Sequence, residues 1–348
     1  MKSALCFLLM AIGLSSCLTK PYQVYWLHLE GAPPRFLFDQ WSTPLTPSGD
    51  KASFDFEGET LYIPKTFFHQ GKASSILDHM NIIRSIQTSS PHLKEAREEW
   101  FTPLKEVDLP ITLSAQSEKL GLIYKRMLEG SIGGLSLNEP SQKSLHLIKS
   151  RWAKKSPHPL PASLHTLFAS WLNSSSKGIN LAVINHYQDL FFENLTQLDS
   201  DNKALILRFY EDLLTGLEIF VSVLKEQGLF NRSVILLTSD RNRIVVENGK
   251  TALTWEGIPL SILSGALKGP YVLGNIRRTH PKYEKTFPGT WGVGLNDWNP
   301  KNVHDFIIDL KSPTKYIDLK EKRASQNPWY HLSPFQNLGP KLKWGQLF

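Results

Sequence analysis

A long helical pattern between two short apolar runs constrains the fold of this chain more than any other feature. The runs are INLAVIN at Ile179–Asn185 and SVILLTS at Ser233–Ser239, and the helical pattern extends from about Asn202 to Gln227. Gly228 follows the pattern directly and is well placed to end the helix at positive φ. A strand, a crossover helix and a second apolar strand predict a parallel α/β unit, with the second strand buried on both faces.

The predicted helix is amphipathic. Apolar side chains recur every three or four residues on one face, and polar side chains fall on the opposite face. The apolar set is Ile206, Tyr210, Leu213, Leu217, Phe220 and Leu224, and the polar set is Arg208, Glu211, Asp212, Thr215, Glu218, Ser222 and Lys225. We therefore expect one face of the helix in the core and the other in water.

The N-terminus has the pattern of a bacterial lipoprotein signal. Lys2 supplies a positive charge, Ala4–Leu14 is apolar but too short to span a bilayer, and small residues precede Cys17. This pattern predicts a signal peptide at 1–16, a Cys17 that carries acyl chains such as palmitate, and a tether at 17–22. Each buried methylene of such a chain adds about 0.8 kcal/mol of membrane affinity. An ordinary cleaved signal, in which Cys17 is incidental, is the alternative.

The remaining chain predicts one large α/β domain over 23–310 and an irregular, aromatic-containing tail over 311–348 packed on it. The Pro- and Gly-rich stretch at 31–58 predicts an ordered loop. Further strands are expected at Val24–Leu29, Asn81–Ile86 and Pro259–Leu263, and further helices at Ser114–Gly130, Ser141–Lys154 and Ala162–Asn173.

Composition excludes several classes of function. The chain has 348 residues, of which 41% are hydrophobic and 20% charged, as in a globular protein. Both cysteines lie in the signal region, which excludes disulfides and thiol chemistry from the mature chain. The net charge of +7 comes from scattered basic residues and modest clusters such as Lys149-Arg151-Lys154-Lys155. We interpret these as solvated surface, with attraction to anionic lipid or an acidic polymer as the alternative, and no nucleic-acid motif is present.

Polar side chains follow three of the predicted strands. Because ligands of parallel α/β sheets bind beyond the carboxyl ends of the strands, these positions are candidates for a site. Carboxylates and imidazoles gathered there suit Zn²⁺ or Mn²⁺, and arginines suit an oxyanion. The strand-end candidates are His28, Glu30, His186, Asp189 and Asp240 for a metal or polar site, and Arg241 and Arg243 for an anion. Each one alone is more often a turn, cap or surface salt-bridge residue.

The order of these pieces resembles the exported domain-of-unknown-function family one-five-zero-one, a sulfatase-like branch of the alkaline phosphatase superfamily. The resemblance runs from about Tyr22 to Leu310 and adds Arg84 to the candidate anion-binding residues. It rests on the segments VYWLHLEGAPPRFLFDQWSTP, DHMNIIRSI, GINLAVIN, LKEQGLFNRSVILLTSD, IPLSILSGALKGPYVLGN and NVHDFIIDL. It implies an alkaline-phosphatase-like fold of class α/β, with three αβα layers, a mainly parallel sheet and an irregular C-terminal tail.

The departures from the family pattern concern metal-binding positions. After the central strand Asp189 is retained, but Phe191 stands where the family has a histidine. Asp240 and Arg243 keep an acid and an arginine of a second motif, and Thr254 stands where a further histidine is expected. Neither phenylalanine nor threonine replaces an imidazole nitrogen as a ligand. The resemblance therefore implies a degenerate metal site.

Two functions follow. The first is an envelope lipoprotein with a sulfatase-like scaffold in a binding or structural role, without a cofactor. The second is a metal-dependent phosphate- or sulfate-ester hydrolase with a rearranged site, which would need Zn or Mn. The expected partners are the membrane, through the N-terminal lipid, and an envelope polysaccharide or protein, but not nucleic acid. Leu18 after Cys17 favours the outer membrane, facing the periplasm or the cell surface.

Overall fold

The structure describes parts of the chain between residues 22 and 307, so the predicted signal at 1–16 and the predicted tail at 311–348 lie outside it. The computed structural model describes residues 22–29, 51–56, 59–64, 76, 79–86, 99–101, 111–114, 135–174, 178–184, 200–239, 243–247, 250–254, 258–265, 271–273, 300–301, 303–304 and 307. Within these ranges, no helix is both long and apolar enough to cross a membrane.

An eight-stranded sheet forms the centre of the domain, in the order β12-β4-β11-β8-β1-β7-β5-β6. Two further hairpin ladders, β2-β3 and β9-β10, lie outside it. The strands are β1 Gln23–Leu29, β2 Lys51–Phe56, β3 Glu59–Pro64, β4 Met80–Ile86, β5 Ile111–Ser114, β6 Leu135–Asn138, β7 Ile179–Ile184, β8 Ser233–Ser239, β9 Arg243–Glu247, β10 Lys250–Thr254, β11 Ile258–Leu263 and β12 Tyr271–Leu273.

Strand β1 occupies the middle of the sheet and pairs in parallel with β7 on one side and β8 on the other. The predicted parallel unit is thus confirmed, although its crossover passes over β1 and its strands are not direct neighbours. Strand β11 is the exception in direction, because it pairs antiparallel with both β8 and β4. The other seven strands of the sheet run the same way.

Three helices cover one side of the sheet, which we call the helical face. They are α1 Gln142–Lys155, α2 Ala162–Leu172 and α3 Ser200–Glu226, and they pack on one another and on the sheet. Alternate residues of β1, namely Tyr25, Leu27 and Leu29, join their side chains in one buried core. These helices agree with the sequence to within about two residues. Ser141 caps α1 by accepting a hydrogen bond from the Ser144 N–H at 3.1 Å.

Helix α3 is buried on its polar side as well, so the prediction that this side faces water is wrong. Asp212, Thr215 and Glu218 are all at most 6% exposed. Helix α1 packs along this side and provides a partner, since Lys155 binds Glu218 at 3.2 Å. The polar stripe is therefore a contact between helices.

The structure explains two glycines, Gly216 within α3 and Gly228 just after its end. A Cβ at Gly216 would overlap the ring of Phe168, so the glycine permits the close contact of α3 with α2. Gly228 has φ +67, as predicted for the residue that ends the helix.

Helical residues also cover the opposite side of the sheet, which we call the imidazole face because it contains His28 and His304. Residues 99–101 are helical, and so are 300–301 and, within the NVHDFIIDL segment that follows, 303–304 and 307. Trp100, Phe101 and His304 contact Trp26 of β1 through their rings. The predicted three-layer α/β class with a mainly parallel sheet is confirmed by this arrangement.

Two local predictions are wrong. The loop predicted over 31–58 contains β2, because Ala52, Phe54 and Phe56 alternate with polar residues in the period of a strand. Ser114, predicted to begin a helix, ends strand β5. The rest of both segments, and the tail at 311–348, lie outside the described residues.

Candidate functional site

His28 is the candidate residue for which the structure describes side-chain contacts, and it lies near the carboxyl end of β1. The strand register places it directly beside Thr238 of β8. The His28 Nδ1 atom and the Thr238 hydroxyl oxygen are 2.9 Å apart, and the side chain of His28 is completely buried. The sequence therefore identified a buried imidazole at the expected edge of the sheet.

The Thr238 hydroxyl connects His28 with Trp26. The Trp26 indole N–H donates to the Thr238 oxygen at 2.7 Å, and an indole nitrogen can only donate. The hydroxyl has one hydrogen and two lone pairs, so it can either donate to His28 Nδ1 or accept from it. Thr238 thus links the two alternate side chains of β1 in one hydrogen-bonded group.

His304 is a second buried imidazole on the same face. Its Nε2 lies 2.6 Å from the backbone carbonyl oxygen of Trp100, and because a carbonyl only accepts, Nε2 must carry the proton. Burial lowers the pKa of His304 to about 4, an effect that the hydrogen bond to Trp100 opposes. The ring is therefore neutral at neutral pH, with a lone pair on Nδ1 that has no hydrogen-bond partner among the described residues.

Aromatic rings enclose both imidazoles. His304 lies 5.2 Å from Trp26, measured between ring centroids, while His28 lies 5.9 Å from Trp100 and 5.0 Å from Phe101. We call this group the imidazole cluster; its members are Trp26, His28, Trp100, Phe101, Thr238 and His304. It holds two buried imidazoles, and a neutral imidazole such as that of His304 is the form that binds metals or accepts protons.

The other predicted site residues that the structure describes do not gather around His28 at the carboxyl end of β1. Arg84 lies within β4, which β11 and β8 separate from β1, so its strand is not a neighbour of His28. Arg243 begins β9, in a separate two-stranded ladder and not in a loop like that of the resembled family. The other candidates, Cys17, Glu30, His186, Asp189, Asp240 and Arg241, lie outside the described residues.

Sequence reasoning missed most of the imidazole cluster. Trp26 and His28 occupy alternate positions of VYWLHL, so a shared face was predictable from that spacing. Trp100 and His304 come from distant segments, and nothing in the spacing connects them with β1. The described residues contain no group of three or more His, Cys, Asp and Glu side chains placed to hold a metal.

Comparison with known proteins gives limited information. No protein-family model matches the chain, and neither does any curated protein sequence. The resemblance to family one-five-zero-one therefore stays a prediction.

Several solved structures are similar over much of the chain. The C-terminal periplasmic domain of EcEptC from Escherichia coli has a TM-score of 0.41 and 10% identity, covering 84% of this chain and 82% of that one. The lipoteichoic acid synthase LtaP from Listeria monocytogenes has a TM-score of 0.38 and 10% identity, covering 74% and 68%. Alkaline phosphatase from the Antarctic bacterium TAB5 has a TM-score of 0.38 and 7% identity, covering 84% and 99%. At such TM-scores the likeness carries no argument about family or activity.

Proposed function

We propose that this protein is an envelope lipoprotein, tethered to the outer membrane through Cys17, whose alkaline-phosphatase-like α/β scaffold serves in binding or support and not in hydrolysis. The observation that carries the proposal is the state of His28. Its Nδ1 is bound to Thr238 and its ring is packed against Trp100 and Phe101, with no exposed surface. A side chain held in this way acts as part of the core.

The resemblance to the sulfatase-like family supports the same proposal. Phe191 and Thr254 stand at positions where that family has histidines, so two nitrogen ligands are missing from the expected set. A scaffold that has lost these metal ligands can still bind a partner through its surface. We infer that it binds an envelope polysaccharide or a protein partner without a cofactor.

One observation favours the alternative, a metal-dependent hydrolase of phosphate or sulfate esters. His304 donates Nε2–H to a backbone carbonyl and keeps a lone pair on Nδ1, which is the orientation that metal-bound histidines usually have. In this alternative His28, Glu30, His186, Asp189 and Asp240 would hold Zn²⁺ or Mn²⁺. Arg84, Arg241 or Arg243 would bind the ester oxygens. A bound metal would polarise the ester and activate water.

Metal content separates the two functions. We expect the purified full chain to contain Zn and Mn far below one equivalent, and to show no turnover of aryl phosphate or aryl sulfate esters when either metal is added. Asp240→Ala should then leave metal content unchanged. One equivalent of metal that is lost in Asp240→Ala would overturn the binding role and establish the hydrolase.

The tether is tested separately. Cys17→Ser should move the protein from the membrane fraction to the soluble fraction, because the acyl chains supply the membrane affinity. Wild-type protein should separate with the outer membrane. A Cys17→Ser variant that stays in the membrane fraction would contradict lipidation, and wild-type protein found only in the inner membrane would contradict the location.

A further inference from the structure

Helix α1 carries an unbalanced positive charge. Its sequence, QKSLHLIKSRWAKK, contains five basic residues and no acidic one. Two of the five are neutralised by α3. Arg151 donates to both carboxylate oxygens of Glu226, at 2.7 and 2.5 Å, and Lys155 pairs with the buried Glu218. Three lysines of α1 remain.

Lys143, Lys149 and Lys154 are exposed, whereas Ser144, Ile148 and Trp152 form the buried side of α1. At 100° per residue, Lys143 and Lys154 lie within about 20° of each other and away from the core, and we call this pair the α1 lysine face. Lys149 lies about 120–140° around the helix from both and does not belong to it. No ion pair to any of these three lysines is found in the part of the chain that the structure describes.

A groove between α1 and α3 adjoins the α1 lysine face. Its volume is about 420 Å³, and Arg151, Lys154 and Lys155 contribute cationic N–H donors to its wall. The Ser150 and Ser222 hydroxyls also line it, but they already donate to the Leu147 carbonyl and to Glu226. Arg151 is held in place by Glu226 and donates a further bond to the Ser222 hydroxyl oxygen at 3.2 Å. A groove with such donors suits a phosphate group, since charged N–H donors make the stronger hydrogen bonds to anionic oxygens.

The groove lies beside the last turns of α3, at the amino end of the central strands. Glu226, to which Arg151 binds, is the last residue of α3, and the chain then enters β8 at Ser233 beside Gln23 of β1. Arg232 is close enough for its charge to act on Tyr22, the residue before β1. This is the end of the sheet from which the chain leads back to residue 17.

We propose that the α1 lysine face and the adjoining groove bind anionic phospholipid headgroups. The proposal rests in part on the proposed tether at Cys17, which would bring this end of the domain to a membrane surface. Lysines within a Debye length of an anionic surface each strengthen binding, and the effect falls with added salt. The helix would thus orient the domain on the bilayer.

The test uses the mature chain, residues 17–348, with Cys17→Ser, so that neither the apolar signal segment nor an acyl chain contributes. Sedimentation with vesicles of phosphatidylcholine alone is compared with vesicles in which one third of the lipid is phosphatidylglycerol. We expect preferential binding to the anionic vesicles that high salt abolishes. Lys143→Gln/Lys154→Gln should lower the anionic partition coefficient by about 20-fold.

The matched control is Lys149→Gln/Lys301→Gln, which removes one exposed charge from the other side of α1 and one from outside this helix. It should change the partition coefficient less than about twofold, and circular dichroism should show all variants folded. Equal binding to both vesicle types, or an equal loss in the control, would overturn the proposal. So would tighter binding to an acidic polysaccharide than to the anionic vesicles. Because the assay contains no lipidated cysteine, its failure is distinct from a failure of the tether.

Discussion

The two faces of the central sheet are built from different chemistry although they share strand β1. On the helical face, Tyr25 packs with Phe220 and Trp171 at centroid distances of 5.0 and 5.3 Å, and the core there is mostly aliphatic and aromatic. On the imidazole face, polar atoms of Trp26, His28, Thr238 and His304 are buried with the rings. The difference teaches that one strand supports two kinds of core: side chains of β1 pack mainly through apolar contacts on the helical face and through buried polar contacts as well on the imidazole face.

The largest expected effect is on the helical face. Phe220→Ala should lower the free energy of unfolding by about 3–5 kcal/mol, because it removes a fully buried ring and leaves a cavity. Urea denaturation measures it. Leu205→Ala on the exposed part of the same helix is the control and should cost within about 0.5 kcal/mol. A similar loss of unfolding free energy in both variants would contradict the conclusion that the apolar packing on the helical face supplies stability.

The next effect concerns pH and the imidazole face. The pKa of His304 is about 4 in the folded protein because of burial, against an ordinary value of 6.5. Between these values the unfolded chain binds a proton that the folded chain does not, so stability falls as pH falls through this window. The difference corresponds to about 3 kcal/mol across the window.

His304→Gln tests this directly, because glutamine can still donate to the Trp100 carbonyl but does not titrate. We expect thermal unfolding of the variant to depend less on pH between 6.5 and 4 than that of the wild type. His146→Gln, on the exposed side of α1, serves as the control and should leave the wild-type dependence intact. An unchanged dependence in His304→Gln would show that another group dominates.

A smaller effect is expected from the hydroxyl that joins β1 to β8. Thr238→Val keeps the shape of the side chain but leaves the buried Trp26 N–H without its acceptor, so the free energy of unfolding should fall by about 1–3 kcal/mol. Thr112→Val on β5 is the control, since its contact with Ser136 is long at 3.5 Å. Equal stability of Thr238→Val and wild type would mean that the cluster is not held by its polar contacts.

The smallest effect should come from the outer ion pair between helices. Arg151→Gln removes the bond to Glu226, whose side chain is 56% exposed, so water and salt already screen the pair. We expect a small decrease in Tm that disappears at high salt. A decrease as large as that of Thr238→Val would indicate that the interhelical contact depends on this pair.

The local sequence pattern predicted the strands and helices well, because the spacing of apolar residues within each one shows which of its sides is buried. The apolar run of β8 and the periodic helix α3 were both recognised within two residues. What the pattern could not predict is which element covers which side. The polar stripe of α3 looks solvent-facing on its own, and only contact with α1, more than sixty residues earlier, makes Glu218 buried.

The candidate site was predictable in part for the same reason. His28 was recognised because it ends an apolar strand, which is a local signal. His304 was not recognised, because its partner is a backbone carbonyl more than two hundred residues away. Every residue has such a carbonyl, so the sequence does not indicate which one binds the imidazole. Pairing across β11 was also invisible, since an antiparallel strand inside a parallel sheet has the same apolar sequence as its neighbours.

Strand β11 has a consequence for the order in which the protein can be completed during synthesis. Strand β4 is bordered in the sheet by β11 and β12 alone, and both are made long after it. Until residues 258–263 have emerged, the apolar MNIIRSI segment has neither neighbour. A nascent chain would therefore lack both partners of this segment for about half of its translation, and it is there that we expect a holding chaperone to bind.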